Sequence, residues 1–163
     1  MNSETSETSE LYNDALEPII KCFIGQMDSA MRVSDILAKH ESPVSEEITV
    51  DHLITGLVYR LMVPMTNEEV DESLDTAQQI LDKLDDTDSE EGSDEECELD
   101  QDVTFGPVTF GSRKVKTNNC NCDVCIKARV CLLNYENHDC GDPLSDKFKK
   151  AITMTCEKHK IYI

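Results

Sequence analysis

Apolar residues return at intervals of three and four along most of this chain. Leu16, Ile19, Ile20, Phe23, Ile24, Met27, Ala30 and Met31 make one stripe on a 3.6-residue period. The stripe predicts a first helix from about Glu17 to Lys39, with Pro18 in its first turn. Residues 41–47 read as a loop. Thr49 or Asp51 can then cap a second helix carrying Leu53, Ile54, Leu57, Val58, Leu61 and Met62, which ends before Pro64. Gly56 weakens that helix slightly. Thr66 and Glu69 form a T-x-x-E capping box for a third, whose seam is Val70, Leu74, Ala77, Leu81 and Leu84. All three stripes read first as core packing.

The pattern changes after residue 84. Residues 85–102 hold eleven acids and no base, too little apolar surface to offset chain entropy, so a disordered spacer is expected. Residues 103–111 (VTFGPVTFG) repeat Val-Thr-Phe-Gly around Pro107, which suggests a short β-hairpin, with Lys114–Lys116 as a further edge. A helix is predicted from about Asp123 to Tyr135, and another from Pro143 behind an Asp142 cap. Their connection, residues 136–142, is short, so they should pack antiparallel.

Charge sharpens the division. The 163-residue chain has a net charge of −19. Residues 1–102 carry 5 Lys and Arg against 28 Asp and Glu (5 − 28 = −23), and residues 103–163 carry 10 against 6 (10 − 6 = +4). The acidic part repels phosphate and suits a basic protein partner. The expected organisation is mainly α: a disordered tail (1–10), an acidic three-helix module (11–84), the spacer (85–102) and a small module (103–163). No apolar run is long enough to span a membrane, and the polar, acidic start is unlike a signal peptide. An intracellular, reducing compartment follows as the expectation, cytoplasm or nucleus, where thiols are free or metal-bound.

The chemistry of the chain lies in its cysteines, eight in all. Cys122 and Cys125 sit at the start of one predicted helix, and Cys156 and His159 at the end of the other. An antiparallel pair would bring C-x-x-C and C-x-x-H together on one tetrahedral Zn²⁺. Cys120 is the alternate ligand. A zinc staple is what a module of about 60 residues needs for stability. A second site from Cys131, His138 and Cys140 is disfavoured, because Cys131 falls on an apolar helix face and the other two at the far end of the hairpin. Catalytic zinc motifs, phosphate loops and a redox βαβ context are all missing from the sequence. His40, near a helix end, and His52, early in a helix, have no sequence-evident partner.

The segments HLITGLVYRLMVPMT (52–66) and CNCDVCIKARVCLLNY (120–135) resemble stretches of small zinc-binding proteins of large nucleocytoplasmic DNA viruses. That resemblance implies a virion or virus-factory location and carries over no site residue. The expected function is that of a non-enzymatic zinc-binding scaffold or assembly factor within a larger complex. The alternative is a nucleic-acid-associated accessory or transcription factor. It would touch phosphate through Arg113, Lys114, Lys116, Lys127 and Arg129, joined by Lys147, Lys149 and Lys150.

Overall fold

A computed structural model describes residues 4–44, 47–87 and 111–163. It contains α1 (Glu4–Glu41), α2 (Val50–Met62), α3 (Asn67–Thr87), β1 (Arg113–Lys114), α4 (Asp123–Asn134), α5 (Pro143–Lys158) and β2 (Ile161–Tyr162). The mainly helical class expected from periodicity is what the chain adopts. Most of the 85–102 spacer and of the 103–111 hairpin lies outside the described residues.

Local signals set the helix starts. Thr49 caps α2, accepting from the His52 N–H, while the Thr49 N–H donates to His52 Nδ1 at 3.1 Å. The Thr66–Glu69 box closes as its sequence requires: the Thr66 N–H donates to Glu69 Oε2 at 2.8 Å and the Glu69 N–H to Thr66 Oγ1 at 3.2 Å. Asp142 accepts from the Leu144 and Ser145 N–H groups at the head of α5. α1 begins earlier than Pro18 suggests and already includes residues of the expected tail.

α1 packs against both α2 and α3, and α2 also carries α4 and α5. The face of α1 that meets its neighbours overlaps the apolar stripe only in part, through Phe23 and Ala30. Ser29, Ala30, Val33, Ser34, Leu37 and Ala38 are buried, whereas Ile20, Met27 and Met31 are exposed. Small residues let the helix axes approach. At Gly56 of α2, a Cβ would lie 2.5 Å from the Ala30 carbonyl oxygen.

One buried cluster runs through the molecule. Val33, Leu37, Ile54, Val58 and Tyr59 from the first two helices join Cys125, Ala128, Cys131, Tyr135, Phe148, Ile152, Cys156 and Ile161. Phe23 of α1 stacks on Phe148 of α5 at 6.3 Å between centroids. The apolar side chains are therefore shared across the boundary that the charge asymmetry suggests. Tyr135 ties the end of α4 to α5, its hydroxyl donating to the Lys149 carbonyl at 2.9 Å and lying 2.9 Å from Thr153 Oγ1. β1 and β2 pair in parallel, Arg113 opposite Ile161 and Lys114 opposite Tyr162.

Candidate metal centre

The last turn of α1 ends beside the first turn of α4, and that meeting builds the site. Ala38 is among the last four carbonyls of α1, which the helix itself cannot satisfy. The Ala38 carbonyl accepts from the Ser42 N–H, and the Leu37 carbonyl accepts from Asn118 Nδ2 at 3.1 Å. Asn118 Oδ1 in turn accepts from the Cys120 N–H at 3.2 Å. Arg129 of α4 donates to the Asn118 and Cys120 carbonyls at 2.9 and 2.8 Å. The segment before α4 is thus held to α1 through the Asn118 side chain and to α4 through its own carbonyls.

Four ligand-type side chains converge there. His40, Cys120, Cys122 and Cys125 place one ligand atom each within 4.8 Å of all the others. His40 Nδ1 lies 3.1 Å from Cys122 Sγ, 3.4 Å from Cys125 Sγ and 3.7 Å from Cys120 Sγ. Zinc bonds of about 2.3 Å to sulfur and 2.0–2.1 Å to nitrogen give a tetrahedron with sulfur–nitrogen edges of about 3.5 Å. The three distances straddle that edge. Three thiols and an imidazole are a common structural zinc set, and the donor chemistry fits Zn²⁺ better than an oxygen-seeking cation.

Helix geometry prepares the sulfurs. Cys122 is the N-cap of α4, and its Sγ accepts from the Cys125 N–H at 3.5 Å. That backbone donor brings the Cys122 thiol down to about 7. Burial pushes the Cys125 thiol up to about 11. One sulfur is ready to ionise and its neighbour resists, as expected where several thiolates would crowd together without a cation. His40 itself is exposed. The next residue, Glu41, pairs with His52 Nε2 at 2.6 Å. This contact fixes the end of α1 against the start of α2, and with it the position of His40.

The sequence-derived set is redistributed. Cys122 and Cys125 are in the cluster, and Cys120 joins them as a full member. Cys156 and His159 do not. Cys156 is buried in the shared core, and His159 is the C-cap of α5. The first turns of α2 separate the two places. Cys125 lines a recess with His52 and Thr55, whereas Cys156 and His159 line another with Val50 and Ile54, from the opposite side of α2. His40 is the fourth member of the cluster. Its only sequence signal is a histidine at a helix end, and nothing in the local pattern points 80 residues ahead.

The proposed phosphate contacts are partly occupied. Arg113 pairs with Asp51 at 2.6 Å. Arg129 holds the cysteine loop, and Lys149 donates to the His138 and Glu136 carbonyls. Lys114, Lys116, Lys127, Lys147 and Lys150 are exposed. Among the described residues, no helix is long and apolar enough to cross a membrane. No protein-family model, curated protein or solved structure matches this chain, so the reading of the site rests on its own geometry.

Proposed function

We propose that the chain is a non-enzymatic interaction protein in which a Zn²⁺ ion, held by His40, Cys120, Cys122 and Cys125, fastens α1 to the segment that leads into α4. The observation that carries this reading is the convergence of four zinc-type ligands from two stretches 80 to 85 positions apart. All four positions of a tetrahedral ion are filled by protein, which supports a structural role, since a catalytic zinc keeps a position for water. The bound ion would hold a helical surface in shape for a protein partner within a larger complex.

The competing reading, contact with nucleic acid, draws less support. Arg113, Arg129 and Lys149 already serve carboxylate or carbonyl groups inside the fold. Metal analysis with native mass spectrometry tests the proposal: one zinc per reduced chain is expected, lost with His40→Ala. A full chain that carries no zinc after reconstitution overturns it.

A further inference from the structure

We propose that Cys122 and Cys125 form a peroxide-responsive dithiol, whose oxidation to a disulfide releases the zinc and unfastens α1. This inference rests on the metal reading above for its consequence, but the thiol chemistry stands on separate observations. The two cysteines are unlike each other in a way that assigns them roles. Cys122 is half-exposed at the N-cap of α4, and Cys125, three residues on, is only 1% exposed. The pair therefore offers an accessible sulfur at the first turn of α4 with a second sulfur shielded behind it. The Cys125 N–H points at Cys122 Sγ, and both sulfurs lie in a group whose ligand atoms are all within 4.8 Å.

The other described cysteines lack one half of this arrangement. Cys131 and Cys156 are buried in the core. Cys22 is exposed and Cys140 half-exposed, but neither belongs to a cluster of three or more ligand-type side chains among the described residues. Cys120 is close enough to compete, yet only one residue separates it from Cys122. The ring closed by a C-x-C disulfide is tighter than that of C-x-x-C, so Cys125 is the partner expected to resolve the oxidised sulfur.

The chemistry balances with a hydroperoxide as oxidant. The Cys122 thiolate attacks one peroxide oxygen, the O–O bond breaks, and the departing oxygen leaves as water after taking up a proton. Cys122 is then a sulfenic acid. The Cys125 sulfur attacks Cys122 Sγ, the S–S bond forms and the S–O bond breaks. The hydroxide leaves as a second water after taking a proton from solvent. Two zinc-bound thiolates, one hydrogen peroxide and two solvent protons give one disulfide and two waters; in the metal-free protein the two thiols supply those protons themselves. Zinc keeps only His40 and Cys120, too few ligands to retain it. His40 is then no longer tied to the α4 loop, while Asn118 still holds the Leu37 carbonyl.

The experiment uses the full chain, reduced and reconstituted with zinc. Metal content is measured first, and this step alone decides the metal reading. Hydrogen peroxide is then added while a metallochromic dye follows zinc release and peptide mass spectrometry maps disulfides. Zinc release and a Cys122–Cys125 disulfide should rise together, one to one, and both should reverse with dithiothreitol and added zinc. Cys120→Ser should form the same disulfide. If the reduced chain binds no zinc, mapping on the metal-free protein still decides the thiol pair. The proposal is overturned if zinc is retained while Cys22 is consumed, or if the disulfide maps to Cys120 or to any other pair.

Discussion

His40→Ala separates the proposed metal clasp from ordinary packing, because in that site His40 would contribute a ligand and little else. Its side chain is exposed, and its ring nitrogen faces the three sulfurs. Removing it should leave the metal-free fold within about 0.5 kcal/mol of wild type, as for other exposed substitutions. In the zinc form the loss is large. Structural zinc binds with an apparent ~10–16 kcal/mol, so one ligand in four represents about 3–4 kcal/mol, or roughly a 100- to 1,000-fold weaker Kd. With free zinc above both dissociation constants, the same difference appears as lost stability. For a chain of this size it corresponds to a Tm lower by about 6–16 °C. Thermal melts of both proteins, with zinc and with chelator, provide the assay. His40→Cys should restore most of the zinc-dependent stability. Equal melting temperatures in zinc, or a gap that persists in chelator, would refute the reasoning.

Three further outcomes follow from the geometry. Gly56→Ala pushes a methyl against the Ala30 carbonyl and should cost about 1–3 kcal/mol in urea unfolding, equally with and without metal; wild-type stability would mean that α1 and α2 do not approach so closely. Zinc affinity should fall on acidification. The bound form needs three thiolates, so affinity falls by at least the one power of ten per pH unit that Cys125, pushed up to about 11, costs across the neutral range, and Cys122, at about 7, adds a further power below that pH. Chelator competition from pH 8 to 5.5 measures the slope, and a slope that does not steepen below pH 7 contradicts the assignment. Cys156→Ser places a hydroxyl among core side chains, and denaturant unfolding should show a loss of about 1–3 kcal/mol. It should leave zinc stoichiometry unchanged, and loss of zinc would return Cys156 to the ligand set.

What could be read in the chain was what short-range chemistry fixes. The caps at Thr49, Thr66 with Glu69, and Asp142 place helix starts through hydrogen bonds that span three residues, so the sequence contains both partners. The buried face of α1 was partly hidden because Ser29, Ser34 and Ala38 are small or polar and fall outside the apolar stripe. Such residues bury well only where another helix comes close, and that closeness is a property of the pair. β2 is two residues long, too short for any periodicity. In the metal centre, the three cysteines near α4 were visible as a cluster. C-x-x-H at the end of α5 has the spacing of a ligand pair, but α2 stands between it and the sulfurs. The missing ligand, His40, depends wholly on where α1 ends in space.

The length of chain enclosed by the clasp explains why a distant ligand is physically reasonable. Joining residues 80 to 85 positions apart removes unfolded-state freedom worth about 4–5 kcal/mol when treated like any covalent cross-link. Because the closure term grows only logarithmically, doubling the loop would change it by about 0.6 kcal/mol. The enclosed chain includes residues 88–102, nine of which are acidic, and their number has little leverage on whether the clasp can form. What the clasp does require is that α1 and α4 each reach α2 correctly. Leu37, His52, Thr55 and Cys125 lining one recess are the packing condition for the site. Core packing and the proposed metal site therefore meet at α2, and a core substitution at Val58, fully buried in that helix and in one cluster with Cys125, is expected to weaken zinc binding together with stability.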